Sequence, residues 1–296
     1  MILETVRILL DWTLDAKHAL LVEGRDKGFF KEAGIELEIL EPASKSAMAI
    51  ERLHQGDAEL AINYPHNILL LQKEFPGVIS VGSLVGSNPE GLLSLRKSGI
   101  NNPKDLIGKT IGVGPSPVSL AQFEMFLKEN SIDESSITLR KVGFEGEELL
   151  IKGEIDALDA VSYAIPRTIN KGFEVDFMPY IEHGLPDSPF LVFAADRIWA
   201  KSHRALLKGF YSALAKALDS VENWMQEEWK AYTDKIPGRN APEEYAVWKL
   251  IQPAISNDNT FKLDHSGIKS LMELLTSKRI LKENYDIKEY FSNKFI

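Results

Sequence analysis

Four short stretches join a ring or a tight turn to hydrogen-bonding side chains: Asp11-Trp12, Asn63-Tyr64-Pro65-His66-Asn67, Gly114-Pro115-Ser116-Pro117 and Ser162-Tyr163. The chemistry open to them is recognition rather than bond making. Trp12 and Tyr64 offer flat apolar faces to a planar ring, while Asp11, Asn67 and Ser116 can choose among its substituents by hydrogen bonding. Plainer readings stand beside these. Trp12 and Tyr163 also read as core packing, and His18, His66 and His183 as surface or satisfied core histidines. Glu145, Glu147 and Glu148 around Gly143-Phe144 read first as the acidic opening turn of a helix. Gly112-Val113-Gly114 lacks the rest of a phosphate-cradling motif, and Trp224, Trp229 and Trp248 read as packing in a helical tail.

Composition removes several kinds of chemistry. With no cysteine, the chain has no disulfide, thiolate nucleophile, zinc-thiolate site or iron–sulfur cluster. Its six histidines show no metal-ligand spacing, so no metal and no cofactor is expected. The net charge of -9 comes without any basic run, which argues against nucleic acid as a partner. Apolar runs are all far shorter than a bilayer span, so the chain is not expected to cross a membrane. The opening residues lead straight towards a strand without a signal-peptide pattern. Two localisations follow as expectations: outside the cytoplasm with a trimmed signal, or cytoplasmic.

These residues need elements to hold them, and the apolar pattern supplies an α/β alternation. Strands are predicted over residues 6–10, 35–40, 58–62 and 78–85, with helices over 18–32 and 46–55, and with Pro65 in the first turn of another helix. The alternation then repeats, with strands over 91–95, 110–113, 137–142, 155–160 and 175–178 and helices over 118–130 and 147–152. A last strand over 190–195 precedes a tail that reads as all helical. This order suits one discontinuous lobe, residues 1–87 with 190–296, wrapped around an inserted lobe, residues 88–189. Glycine and proline at the two crossings suit a hinge. Since ligands of open α/β sheets settle beyond the carboxyl ends of strands, the four stretches above fall where a ligand is expected.

Leu10-Asp11-Trp12 followed by His18, then Lys27-Gly28-Phe29-Phe30-Lys31-Glu32-Ala33-Gly34-Ile35, resembles the thiamine-pyrimidine family of binding proteins and a fungal-type pyrimidine synthase. Further matches are Gly56-Asp57-Ala58, Pro76-Gly77-Val78, Asp105-Leu106-Ile107-Gly108-Lys109-Thr110-Ile111-Gly112, Val142-Gly143-Phe144 and Gly153-Glu154-Ile155-Asp156-Ala157, so that the resemblance spans residues 5–235. It implies a type II periplasmic-binding-protein fold that closes on a small heteroaromatic ligand, a thiamine pyrimidine precursor, and acts as a monomer with an ABC permease. Trp12, Tyr64 and Asn67 match positions lining the family's pyrimidine cleft, and the resemblance brings His18 in with them. Asp11, Ser116, Pro117, Ser162 and Tyr163 complete the expected ligand-binding set. An enzyme is not expected: the synthase's cysteine-rich motif has no counterpart, and its lysine and histidine align with Asn63 and Asn67. Binding relatives carry a tyrosine and then an acid where this chain reads Ser162-Tyr163-Ala164. Riboflavin, alkylsulfonate and nitrate, ligands of related binding proteins, therefore stay as alternatives, as does a cytoplasmic enzyme or sensor of pyrimidine metabolism.

Overall fold

Short apolar runs bounded by glycines and capping residues become strands, and in the computed structural model, which describes residues 3–42 and 46–296, they assemble into two five-stranded sheets. The first comprises β1 (Glu4–Leu9), β2 (Ile35–Leu40), β3 (Leu60–Asn63), β4 (Val78–Val85) and, from much later in the chain, a strand at Leu191–Asp196. The second comprises β5 (Glu90–Leu95), β6 (Thr110–Val113), β7 (Thr138–Lys141), β8 (Ala157–Val161) and β9 (Val175–Pro179). The late strand is β10.

The two sheets share one plan. Their orders are β2-β1-β3-β10-β4 and β7-β6-β8-β5-β9. In each, three parallel strands adjoin one antiparallel strand that reaches the sheet across a chain crossing: β10 pairs antiparallel with β3 and β4, and β5 with β8 and β9. All eight residues of β4 are buried, as a strand covered on both faces requires.

By contacts the chain divides into two units. The first is Met1–Ser87, Ser188–Lys269 and Asn284–Ile296, and the second is Asn88–Asp187 and Ser270–Glu283. The segment Ser270–Glu283 differs from the sequence reading, which kept all of 190–296 with the first lobe. Its side chains explain the grouping: Lys278 pairs with Glu124, and Leu274 and Lys278 line one cavity with Met125 and Leu185. The second unit has its own core, with Phe123, Phe126, Leu106, Ile111 and Tyr180 among its buried members. Trp229 and Trp248 are buried in the first, ring centroids 6.1 Å apart, as packing residues.

Two local features depart from the sequence reading. The helix expected over 18–32 is a 3₁₀ turn Ala16–His18, a helix Ala19–Asp26 and a short helix Phe29–Glu32, broken at Gly28, whose φ of 78° no right-handed helix accommodates. An unforeseen helix, Ala164–Asn170, carries Pro166 in its first turn, where the missing N–H has no helical partner to lose. Gly91 lies in β5, as the strand predicted over 91–95 has it, and a glycine suits the position for space: a Cβ there would lie 2.4 Å from the Met178 carbonyl oxygen. No helix of the described residues is long and apolar enough to cross a membrane.

Candidate ligand-binding site

The carboxyl edge of β1 and β3 gathers the first group. These strands are parallel neighbours with Leu9 opposite Ala61, so two residues further on Asp11 comes level with Asn63. Beyond β1, Asp15 caps the turn Ala16–His18 by accepting the Lys17 N–H at 3.2 Å. Lys17 Nζ donates to Asp15 Oδ2 at 2.6 Å and lies 3.5 Å from Asp11 Oδ2, while His18 Nε2 meets Asp11 Oδ1 at 2.9 Å. All four side chains are buried. Burial works to raise the Asp15 carboxyl, but Lys17 and His18 outweigh it and hold it well below the usual carboxylate range. Burial and the Lys17 charge work to lower His18, yet Asp15 and the hydrogen bond His18 donates to Asp11 leave its pKa raised above 6.5. His18 Nδ1 also faces the Asp15 N–H at 3.2 Å, so each buried charged or polar group here has a partner, which is how buried charge is tolerated.

On this buried quartet stands Trp12, 44% exposed. An indole left that open at a strand edge is not core packing. Tyr64, at the end of β3, is half-buried; its ring stacks on His66 with centroids 5.3 Å apart and meets Phe190 edge-on, also at 5.3 Å. Asn63 Oδ1 accepts both the Tyr64 N–H and Asn67 Nδ2 at 2.8 Å, which ties the turn to the helix Pro65–Leu70. Burial pushes the His66 imidazole down to about 4, so this edge carries neutral rings at physiological pH.

In the second unit the equivalent edge lies at the ends of β6, β7 and β8 and the start of β5. Ser116 caps the helix Pro117–Glu129, its Oγ accepting the Ser119 N–H at 3.0 Å, and Ser116 and Pro117 are exposed. Ser162 is half-buried, and its N–H bonds to Pro89 O at 2.9 Å. Phe144, beyond β7, is 92% exposed. Glu145 accepts the Gly143 N–H at 3.0 Å and Glu147 the Thr168 hydroxyl at 2.9 Å, so those acids support local structure.

Two carboxyls that the sequence reading passed over share this edge. Glu90 Oε2 accepts from Asn88 Nδ2 at 3.0 Å and from Gln122 Nε2 at 2.7 Å, and Asp159 Oδ1 accepts from Tyr180 Oη at 2.9 Å. The antiparallel register pairs Glu90 with Val161 and Leu92 with Asp159, which puts both acids on one face of the sheet. Burial, then the neighbouring Glu90, pushes Asp159 up to about 7; burial likewise raises Glu90 against its two amide donors. No local motif marks these acids, because their neighbours come from three separate elements.

Of the predicted residues, Asp11, Trp12, His18, Tyr64 and Asn67 belong to the first unit and Ser116, Pro117, Ser162 and Tyr163 to the second. Two are more buried than the rest. His18 is fully buried with its ring nitrogens against Asp11 and Asp15, so it supports Asp11 instead of presenting itself at the edge. Tyr163 is 4% exposed. Among the described residues no cluster of three or more His, Asp or Glu is placed to hold a metal ion.

Known proteins share this chain's sequence pattern and fold. The chain is 26% identical over 227 residues to a formylaminopyrimidine-binding protein of Halalkalibacterium halodurans, covering 76% of this chain and 67% of that one. It is 25% identical over 274 residues to the 4-amino-5-hydroxymethyl-2-methylpyrimidine phosphate synthase THI12 of Saccharomyces cerevisiae, covering 83% of this chain and 75% of that one. Its fold matches the periplasmic aliphatic sulphonate binding protein SsuA of Escherichia coli with a TM-score of 0.78 at 16% identity, over 97% of each chain. That likeness establishes the periplasmic-binding-protein fold. Residues 15–224 match the family model described as NMT1/THI5 like, and the chain belongs to that family.

Proposed function

We propose that the protein is the solute-binding component of an ABC importer, working outside the cytoplasm with an ABC permease, and that its ligand is a thiamine pyrimidine precursor such as a formylated aminopyrimidine. The observation that carries this reading is Trp12: an indole 44% exposed at a strand edge, on a loop anchored by four buried charged or polar groups. A flat aromatic ligand gains both stacking and apolar burial there. Tyr64 adds a second ring, and Asp11 and Asn67 lie near as hydrogen-bonding groups. Ser116 and Ser162, expected from the sequence as ligand contacts, are polar side chains at the corresponding strand ends of the second unit. The name of the Halalkalibacterium relative supports the choice of ligand.

Two other readings are weaker. An alkylsulfonate or nitrate ligand is disfavoured because it makes little use of an open indole such as Trp12. Synthase activity is disfavoured because Asn63 and Asn67, which bond to each other at 2.8 Å, are amides with neither the nucleophilic nor the basic nitrogen of a lysine or histidine.

Calorimetric titration with 4-amino-5-hydroxymethyl-2-methylpyrimidine and its aminomethyl and formylaminomethyl analogues tests the reading. Saturable binding is expected, abolished in Trp12→Ala, with no heat from ethanesulfonate. Silence from every pyrimidine overturns it, and so does formation of a pyrimidine product on incubation with pyridoxal phosphate and iron.

A further inference from the structure

Three side chains from late in the first unit reach the loop that carries Trp12. Tyr232 Oη donates to Asp15 O at 2.7 Å, and Glu244 Oε2 accepts the Ala16 N–H at 2.6 Å. Arg239 Nη1 pairs with Glu244 Oε1 at 3.3 Å, while its Nη2 lies 3.4 Å from Thr13 Oγ1. Glu244 is fully buried. Ala16 opens the 3₁₀ turn Ala16–His18, and the first N–H groups of such a turn have no partner inside it. Asp15 takes that of Lys17, and Glu244, 228 residues away, takes that of Ala16. Trp12 is thus bracketed, with Asp11 gripped on one side by Lys17 and His18, and Thr13 to Ala16 gripped on the other by the helical tail.

We propose that Glu244, held by Arg239, is a positioning residue for ligand binding that sets the orientation of Trp12. Both lie beyond residue 224, where the family match ends, so the contribution comes from a part of the chain the family pattern does not describe. The proposal rests on the reading of Trp12 as the stacking residue. A charged acceptor on the Ala16 N–H fixes where the loop leaves β1, and a ring one residue beyond the strand's flanking acid follows that backbone direction. Replacing the carboxylate frees the loop, and the ring then spends less of its time in the stacking orientation.

A double-mutant cycle tests this, with the dissociation constant of 4-amino-5-hydroxymethyl-2-methylpyrimidine measured well below each variant's melting temperature. Glu244→Ala is expected to weaken binding about tenfold, since a site built on a loosened support loses its geometry. Glu244→Gln, whose amide oxygen still accepts the Ala16 N–H, recovers most of it. In a Trp12→Leu background, which has no ring to stack, Glu244→Ala changes the constant less than about twofold, because residues that act through one another are not additive. A merely structural role lowers the melting temperature and leaves the affinity of the folded protein unchanged; that result overturns the proposal, as does an equal loss in both backgrounds. If Trp12→Leu itself binds like the parent, the reading of Trp12 fails and takes the proposal with it, whereas weakening by Trp12→Leu without any by Glu244→Ala sinks the proposal alone. Should Glu244→Ala not fold, Arg239→Met takes its place in the cycle.

Discussion

Charge buried beneath Trp12 makes the protein's stability depend on pH in a definite direction. His18 has a folded-state pKa raised above 6.5, so its contribution is fully present below 6.5 and is lost as pH rises through the folded value. Urea denaturation of the parent and His18→Gln at a series of pH values should show a stability difference that shrinks as pH increases; a gap that widens contradicts the raised imidazole pKa. Asp159 acts with the same sign for another reason. Because burial and Glu90 push it up to about 7 from 3.8, the folded protein holds a proton that the unfolded chain releases, and stability falls across that window. Asp159→Asn is therefore expected to raise the melting temperature more at pH 8 than at pH 5. Residue types and post-strand positions already marked Asp11, Trp12, Tyr64 and Asn67 as candidates. Neither the burial of His18 nor the Glu90 and Asp159 pair could be read this way, since burial is a property of what packs over a residue.

Elements were the most legible level, because strand and helix periodicity and glycine stops are written within a few residues of each other. Strands at Ile35–Leu40, Val78–Val85 and Thr110–Val113 have the bounds that pattern predicts. Glycines show where pattern stops being enough. At Gly28 a substitution meets nothing within 4 Å but must adopt a φ of +78°, so Gly28→Ala should cost about 1 kcal/mol, the left-handed backbone penalty. At Gly91 the added Cβ meets the Met178 carbonyl oxygen at 2.4 Å, inside a strand hydrogen-bonded on both sides. Gly91→Ala should cost at least about 2 kcal/mol, with β5 and β9 forced apart. Denaturant midpoints of the two variants check the contrast, and equal losses would contradict the assignment of Gly91 to close strand packing.

At the scale of the whole molecule, ligand binding and folding are linked. A ligand that binds only the folded chain stabilises it by about 2.7 kcal/mol at a concentration of 100 times its dissociation constant. The formylated aminopyrimidine is accordingly expected to raise the melting temperature of the parent and to leave that of Trp12→Ala unchanged; a shift of equal size in both would place the ligand elsewhere.

By itself the sequence determined the α/β alternation, the family, and most of the polar and aromatic residues at the strand ends, because propensity, capping and hydrophobic period act between near neighbours. Tertiary structure alone decided which of them are exposed, how Asp11 is held, and that Tyr232, Arg239 and Glu244 grip the Trp12 loop. Hydrogen bonds spanning 217 and 228 residues leave no trace in any local window, since they form only once the chain has already brought those groups together.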